Sequence, residues 1–244
     1  MQPPQQPVET SLPRGPVAIS AEAVAPDQRR RMLEALPHAV AEHGFEGTTV
    51  EHIVKLGQVR RNSFYEQFAD KRDCFAAAYE IAQDRLLGAL TFQCYTRSGL
   101  ADRVSAALSA GLNLLGTNPN LARLVVIEAP AAGAEIAVRH QEWLDRYGRL
   151  LGLAAVGSPD VAAPKPALEN AILGAIVSRI KQLILAGETR ELPSLCSELV
   201  QLTLSYYSSP ALPPDPLRVS AVGEGVESVQ PQSPPGRRTV LEPV

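Results

Sequence analysis

Apolar residues recur at intervals of three and four through the middle of the chain, a spacing that predicts α-helices rather than strands. Val50, Ile53 and Val54 form one such stripe, and Phe64 and Phe68 mark the buried side of a second short helix. Longer helices are predicted at residues 74–97, 100–115, 121–129, 134–153, 167–186 and 193–207, with a proline-rich loop at 154–166. The predicted fold class is therefore all-α.

Polar residues, glycine and proline mark where the first helices begin, bend and end. Thr48 and Glu51 have the spacing of a capping box, which predicts the start of a helix. Gly57 can relax the backbone where that helix stops, and the next helix can begin near Arg60. Pro37 lies inside an earlier helical pattern and is expected to bend that helix. Two short helices joined by a tight turn are the plan of a helix-turn-helix that binds DNA.

The outward face of the second short helix carries residue types that suit the major groove of DNA. Arginine can bond guanine with two donors, asparagine can do the same on adenine, and serine can serve either base. The candidate base-contacting residues are Arg61, Asn62 and Ser63, at the N-terminal end of the helix. The candidate phosphate contacts are Thr49, Arg60, Tyr65, Gln67 and Lys71. The alternative for each is a solvated surface residue, or simple packing for the tyrosine.

A longer pattern of spaced residues surrounds these two helices. Its members are Met32, Leu33, Leu36, Val40, Gly44-Phe45, Thr48-Thr49-Val50, Ile53, Val59, Phe64-Tyr65, Phe68, Lys71, Cys74-Phe75 and Tyr79. With this pattern, residues from about 27 to 80 resemble the DNA-binding domain of the TetR (tetracycline-repressor) family of bacterial transcription regulators.

The chain departs from the usual family pattern at three positions in and after the turn. Gln58 stands where the family usually has glycine, and Arg60 stands where a small serine or threonine is common. An arginine at this position lacks the N-cap hydrogen bond of serine or threonine, which stabilises a helix by about 0.5–2 kcal/mol, but it adds a positive charge where DNA phosphates are expected. Asn62 occupies a position often held by glycine or a basic residue, so the target sequence cannot be transferred from relatives.

The resemblance implies an N-terminal three-helix helix-turn-helix DNA-binding domain and a C-terminal helical domain for ligand binding and dimerisation. The first domain is predicted at residues 26–86, with the motif at 49–68, and the second at 87–208. Fourteen of the 21 prolines lie in residues 1–26 or 209–244. Because few large apolar residues accompany them, the segments 1–25 and 209–244 are predicted to be disordered tails.

The last two predicted helices have an apolar surface wider than one core stripe needs. The resemblance implies that they build a four-helix bundle with a second copy of the chain. The candidate interface residues are Leu168, Ala171, Ile172, Ala175, Ile176, Leu195, Leu199 and Leu202. The alternative is a central core helix. A homodimer also suits the DNA-binding motif, because two recognition helices can bind the two halves of a palindrome.

The resemblance further implies a mostly apolar pocket for an unidentified small-molecule effector, whose binding releases the operator. The candidate pocket residues form an aromatic and polar set among aliphatic neighbours, namely Phe92, Tyr95, Glu128, His140, Trp143 and Tyr147. The alternative for each one is plain core or surface.

The charge balance modifies the expectation of a DNA-binding surface. The formal net charge is −3, and residues 27–75 hold eight basic and eight acidic residues. Any basic patch must therefore come from the arrangement of the residues at 29–31, Arg60, Arg61, Lys71 and Arg72. Specificity is then expected to depend on base contacts and dimer geometry more than on total charge.

Other chemistry finds little support in the sequence. The three cysteines have no metal or redox spacing, and no metal ligand set, cofactor motif or catalytic motif is present. No apolar run reaches membrane-spanning length and no signal peptide is evident, so a cytoplasmic, nucleoid-associated protein is expected. The sequence thus predicts a non-enzymatic, sequence-specific transcription regulator, a ligand-responsive repressor on a palindromic operator. The alternatives are a helix-turn-helix that binds protein and an all-helical enzyme using Glu128, His140 and Glu142.

Overall fold

Helices make up nearly all of the part of the chain that the computed structural model describes, residues 21–156 and 166–208. No strand occurs within those ranges, which confirms the all-α prediction. The predicted tail at 209–244 and most of the one at 1–25 lie outside the described residues, as does most of the loop predicted at 154–166. The first helix begins at Ala21, so the N-terminal tail prediction is wrong for its last five residues.

Nine α-helices follow one another in the described residues, with three short irregular helical turns between some of them. The α-helices are α1 (Ala21–Gly47), α2 (Val50–Gly57), α3 (Arg61–Gln67), α4 (Lys71–Thr96), α5 (Leu100–Thr117), α6 (Pro119–Arg123), α7 (Ala134–Ala155), α8 (Pro166–Leu185) and α9 (Cys196–Ser208). The irregular turns are a π-turn at Leu124–Glu128 and 3₁₀ turns at Ala129–Ala131 and Thr189–Leu195.

The segment predicted as one helix at 121–129 changes its winding twice. It starts as α6, widens into the π-turn and tightens into a 3₁₀ turn that contains Pro130. A proline at this position cannot donate a hydrogen bond to the carbonyl four residues earlier, and its ring would clash with that carbonyl. The wider turn before Pro130 avoids a regular α-helical path into the proline.

Aromatic side chains fill the core that the first four helices share. Phe64 and Phe68 are both buried, as predicted, and their ring centroids lie 5.4 Å apart. Phe45 at the end of α1 meets Phe75 of α4 edge to face, with ring centroids 4.8 Å apart. These rings belong to the same core as the buried aliphatic residues of α1 and α2. The short helices α2 and α3 therefore have a fixed position on the longer ones.

The capping box lies one residue later than predicted. Thr49 is the N-cap of α2, because its Oγ1 accepts from the His52 N–H at 3.3 Å and His52 Nδ1 accepts from the Thr49 N–H at 3.4 Å. Thr48 is buried and donates its hydroxyl to the Gly44 carbonyl at 2.6 Å, which closes α1. Since Thr48 is used by the preceding helix, the box pairs Thr49 with His52, and Glu51 lies outside it.

The turn between α2 and α3 uses its glycine differently from the prediction. Gly57 is still helical, and Gln58 takes the left-handed conformation, with φ 51° and ψ 45°. A Cβ atom on Gly57 would lie 3.3 Å from the Arg31 carbonyl oxygen, so glycine here permits close approach of α1. Arg31 Nη2 donates to the Gln58 carbonyl at 2.9 Å and holds the turn in place.

Replacing Gln58 by glycine is expected to stabilise the protein. A left-handed conformation costs a non-glycine residue about 1–2 kcal/mol, and the larger unfolded-state entropy of glycine offsets part of the gain. We expect Gln58→Gly to raise the free energy of unfolding by about 0.5–1 kcal/mol in urea denaturation. Gln58→Ala is the control, because it keeps the strained conformation and should give no gain. Equal stability of the two variants would contradict this account.

Candidate nucleic-acid interface and internal cavity

Four side chains of α3 form its exposed face. Arg61, Asn62, Tyr65 and Glu66 are exposed, and the preceding Arg60 is exposed as well. Arg60 stands at the N-cap position without a side-chain capping bond, as its residue type predicted. The surface therefore offers two adjacent guanidinium groups beside an amide.

Ser63 does not belong to this face, contrary to the prediction. Its exposed fraction is 8%, and it lies on the inner side of α3 next to Phe64. Successive helical residues are about 100° apart, so the buried arc around Phe64 includes its neighbour on one side. Ser63 is therefore a packing residue, and the base-contacting candidates that remain exposed are Arg61 and Asn62.

Tyr65 supports Arg61 on the exposed face. Arg61 Nη2 lies 3.4 Å from the Tyr65 hydroxyl oxygen, and its Cζ lies 5.8 Å from the centre of the ring. The residues stand four positions apart, the spacing that brings helical side chains together. This contact limits the directions in which the guanidinium group can point.

The three arginines near the start of α1 are committed to contacts within the protein. Arg29 Nη1 donates to the Gln67 carbonyl at 3.1 Å. Arg30 pairs with two carboxylates of its own helix, and Arg31 holds the Gln58 carbonyl. Within the described residues, the members of the predicted basic set that remain exposed without an ion pair are Arg60, Arg61 and Arg72.

Lys71 has a structural role where a phosphate contact was predicted. Its Nζ donates to the carbonyls of Phe45, Glu46 and Thr48 at 3.0, 2.9 and 3.0 Å. These three bonds use all the N–H groups of the ammonium. Lys71 therefore satisfies carbonyls at and just after the C-terminal end of α1, so it has no donor left for DNA. Thr49 is exposed at the start of α2 and Gln67 is half-buried at the end of α3, so both remain candidates.

An apolar cavity of about 150 Å³ lies among α4, α5, α7 and α8. Aliphatic and sulfur-bearing side chains on α4 and α5 form much of its wall, among them Leu86, Leu90, Cys94, Leu108, Leu112 and Leu115. On α4 these residues follow one another at intervals of four. That spacing is the signal that could have located the cavity wall in the sequence.

Two of the six predicted pocket residues line this cavity, His140 and Tyr147. Phe92 and Tyr95 point away from it and are 64% and 77% exposed, because they lie on the face of α4 opposite Leu90. Trp143 is buried elsewhere and donates its Nε1–H to Glu80 Oε2 at 3.1 Å. The pocket assignment is therefore wrong for Phe92, Tyr95 and Trp143.

A chain of hydrogen bonds forms the polar end of the cavity. The Tyr147 hydroxyl donates to Gln83 Oε1 at 2.5 Å, and Gln83 Nε2 donates to the Tyr79 hydroxyl oxygen at 2.6 Å. The Tyr79 oxygen lies 2.9 Å from His140 Nδ1. Burial lowers the pKa of His140 below its ordinary value and raises the pKa of both tyrosines. All four groups are therefore neutral near pH 7.

Glu128 connects the π-turn to the end of α1 and does not line the cavity, so its pocket assignment is wrong as well. Its Oε2 accepts a hydrogen bond from the Phe45 N–H at 3.0 Å. Its Oε1 forms a 3.0 Å ion pair with Arg123 Nε, although that N–H is not aligned for a hydrogen bond. Val125 and Val126 of the same π-turn line the cavity. The buried Glu128 carboxylate thus joins the π-turn of the cavity wall to the end of α1.

The predicted interface residues on α8 and α9 fall into two groups. Ile176, Leu195 and Leu199 are buried in the core of their own chain, so their assignment to an interface is corrected. Ala171, Ala175 and Leu202 are exposed, and Leu168 and Ile172 are half-exposed. Gly174 lies between the exposed alanines, and a Cβ atom added to it would meet nothing within 4 Å. A face of small residues on α8 is therefore uncovered.

Metal ligands and membrane-spanning helices are both absent from residues 21–156 and 166–208. No three His, Cys, Asp or Glu side chains come together there as ligands for a metal ion. None of the helices in those ranges is both long enough and apolar enough to cross a membrane.

Comparisons with known proteins identify the N-terminal region. Residues 33–78 match the family model described as bacterial regulatory proteins, tetR family. No curated protein matches the chain.

Several solved structures share the fold of the chain. The regulator FadR from Bacillus subtilis in complex with stearoyl-CoA is 16% identical, with a TM-score of 0.66 over 72% of this chain and 97% of that one. FadR from Bacillus halodurans is 18% identical, with a TM-score of 0.64 over 72% and 97%. SmeT, the repressor of the Stenotrophomonas maltophilia multidrug efflux pump SmeDEF, is 19% identical, with a TM-score of 0.61 over 77% and 100%. At these identities the similarity establishes the fold alone.

Replacing Lys71 by methionine is expected to destabilise the protein. The change removes three hydrogen bonds from a charged donor and leaves carbonyls at the end of α1 without that partner. Because the side chain is only partly buried, we expect a loss of about 1.5 kcal/mol in the free energy of unfolding. The control is Arg61→Met on the exposed face, which should change stability by less than about 0.5 kcal/mol. If both variants match the unsubstituted protein, the structural role of Lys71 is refuted.

Proposed function

The chain belongs to the TetR family of DNA-binding transcription regulators, and on that premise we propose that it is a ligand-responsive repressor that binds a palindromic operator as a homodimer. The observation that carries the proposal is the exposed face of α3, where Arg60, Arg61 and Asn62 stand together. As a DNA-binding protein of bacteria it would act in the cytoplasm, at the nucleoid. Its work is binding, and the proposal includes no catalysed reaction.

The residues of the exposed face divide by role. Arg61 and Asn62 lie at the N-terminal end of the recognition helix, where side chains reach base edges, and both residue types can bond a base with two atoms. Arg60 precedes the helix and is assigned to a phosphate. Thr49, Tyr65 and Gln67 are proposed as further contacts to the phosphate backbone of DNA. Tyr65 would also orient Arg61.

Few basic side chains near α3 are free to contact DNA, and this number affects both the affinity for DNA and its salt dependence. Arg29, Arg30, Arg31 and Lys71 are engaged by groups of the protein itself. Each phosphate neutralised contributes about 0.9 to the slope of log affinity against log salt concentration. We therefore propose weak non-specific binding and a shallow salt dependence, with discrimination supplied by base contacts.

The cavity is proposed as the effector site. It lies among α4, α5, α7 and α8, and its wall includes the π-turn residues Val125 and Val126. An effector that displaces this turn would also displace Glu128 and, through the hydrogen bond to the Phe45 N–H, the end of α1. Release of DNA requires that the effector bind one arrangement of these elements better than the other.

The exposed small residues of α8 are proposed as the centre of the homodimer interface. Ala171, Gly174 and Ala175 follow at intervals of three and one, so they share one face of the helix. Small side chains allow two helices to approach closely, and Leu202 of α9 adds an exposed apolar group. A two-fold dimer through this face would present two copies of α3 to the two halves of a palindrome.

Selection of bound DNA from a random pool, followed by gel-shift assays, tests the DNA-binding proposal. We expect a palindrome to be selected. Arg61→Ala should cost about 1–3 kcal/mol at one base pair of each half-site and relax the preference there. The neighbouring change Arg60→Ala should weaken binding to all sequences alike and lower the salt slope by about 0.9 for each phosphate that is no longer neutralised. A protein that retains no duplex even at low salt would overturn the proposal in favour of a protein-binding helix-turn-helix.

Light scattering tests the dimer with two matched glycine variants. The unsubstituted chain should show about twice its mass of 26.2 kDa. Gly174→Arg should give the monomer mass, because a long charged side chain on the small-residue face blocks helix contact. Gly88→Arg is the control on α4, since Gly88 is also exposed with open space around an added Cβ atom, and it should remain dimeric. A dimeric Gly174→Arg variant would place the interface elsewhere.

A further inference from the structure

The wall of the cavity carries no ionic side chain. Among the described residues that line it there is no Asp, Glu, Lys or Arg, and its polar members are Gln83, His140, Tyr147 and Thr203. A carboxylate or phosphate held there would lose its hydration without gaining a counter-charge, and such a loss is expensive. The walls therefore favour an uncharged ligand.

The hydrogen-bond chain keeps His140 neutral. The Tyr79 hydroxyl oxygen receives a hydrogen from Gln83 Nε2, so its own hydrogen is available for His140 Nδ1. This direction requires an Nδ1 without hydrogen, which places the imidazole hydrogen on Nε2. A protonated imidazole would instead direct an N–H at Tyr79 and leave the tyrosine hydrogen without its acceptor. Burial of the ring acts in the same direction, because it lowers the pKa of His140.

The polar end of the cavity therefore presents hydrogen-bond donors to a ligand. His140 lines the cavity and its Nδ1 is occupied by Tyr79, so Nε2–H is the ring donor left for a ligand. Gln83 uses one amide N–H for Tyr79 and has a second. Tyr147 gives its only hydroxyl hydrogen to Gln83 Oε1. Two N–H donors at one end of an apolar cavity suit a ligand with one acceptor oxygen, such as a carbonyl.

The size of the cavity limits the rest of the ligand. Its volume is about 150 Å³. An engineered apolar cavity of about that volume in another protein binds benzene. The acyl group of stearoyl-CoA, the ligand in the structure of FadR from Bacillus subtilis, is far longer than benzene. The two proteins share a fold, but this cavity is suited to a much smaller molecule.

We infer that the cavity binds a small, uncharged, mostly hydrocarbon molecule that carries one carbonyl oxygen, with that oxygen accepting from His140 Nε2–H and the amide of Gln83. This inference deepens the proposed function, because it rests on the cavity being the effector site. It separates this chain from regulators whose ligand presents an acidic head group, since the polar end here supplies donors and no cation.

Three probes of similar size test the ligand class by calorimetry on the full chain. Acetophenone has the carbonyl, ethylbenzene lacks it, and benzoate replaces it by a charge. We expect acetophenone to bind about three- to tenfold more tightly than ethylbenzene, the gain of a typical hydrogen bond. Benzoate should bind most weakly of the three. Equal affinity for ethylbenzene and acetophenone, tighter binding of benzoate, or no binding by any probe would each overturn the inference.

Two variants locate the binding. His140→Asn keeps an acceptor near the Nδ1 position for Tyr79 but removes the Nε2–H. Because the Gln83 amide remains as a donor, the preference for acetophenone over ethylbenzene should shrink without vanishing, while ethylbenzene affinity stays unchanged. Ala107→Leu fills part of the cavity and should weaken both ligands. An unchanged preference for acetophenone in His140→Asn would refute the assigned donor. If that variant fails to fold, the comparison of the three probes on the unsubstituted chain still decides the ligand class.

A gel-shift assay separates this inference from the function on which it rests. If acetophenone binds the cavity and the operator stays bound at saturating ligand, the effector role of the cavity fails, while the ligand class stands. If no probe binds but a palindrome is still selected specifically, the ligand inference fails and the DNA-binding proposal stands.

Discussion

At Gly44 the backbone of α1 enters the left-handed region, with φ 67°, and the regular hydrogen bonding of the helix is interrupted. Two side chains of opposite charge satisfy the peptide groups that follow. Glu128 accepts from the Phe45 N–H, and the Lys71 ammonium donates to three carbonyls between Phe45 and Thr48. A polar group left unpaired here would cost about 1–3 kcal/mol. These four bonds therefore fix the end of α1 against α4 and the π-turn.

The same requirement accounts for how the cations of residues 27–75 are used. Four of the eight basic residues in that range hold backbone carbonyls or helical carboxylates in place, as Arg29, Arg31 and Lys71 show most directly. The cations at the exposed end of the recognition helix are thus few, and Tyr65 restrains one of them. Such a surface is suited to selecting a DNA sequence rather than to accumulating DNA by charge alone.

The periodicity of apolar residues predicted the long helices, because burial of one helix face is a property of local sequence. It also predicted the buried pair Phe64 and Phe68. It did not predict the change of winding at 121–129 or the 3₁₀ turn that precedes α9. Two of the errors arose where a side chain bonds a different helix from the one to which it was assigned. The Thr48 hydroxyl donates to the Gly44 carbonyl of α1, so the capping box of α2 begins at Thr49 and not at Thr48. Lys71 was assigned to phosphate because its carbonyl partners, more than twenty positions away, leave no local signal.

The lining of the cavity could also be predicted only in part from the sequence. Residue type alone selected Phe92 and Trp143, yet one faces outward and the other packs in the core. The cavity follows from which faces of α4, α5, α7 and α8 converge, and that depends on how the helices cross. His140 and Tyr147 were chosen by the same criterion, as aromatic and polar residues among aliphatic neighbours, and they do line the cavity. Gln83, which joins them through the hydrogen-bond chain, was missed because nothing in the sequence distinguishes a single glutamine in a long helix.

Arg29 and Arg31 tie both ends of the recognition helix to α1, one at Gln67 and the other at the turn residue Gln58. These bonds join α1, the turn and α3, so a shift of α1 would carry the turn and the exposed face of α3 with it. The Phe45 N–H that Glu128 holds lies sixteen positions from Arg29, or about 24 Å at 1.5 Å per residue. A rotation of α1 by about 5° at its Phe45 end would move the Arg29 end by about 2 Å.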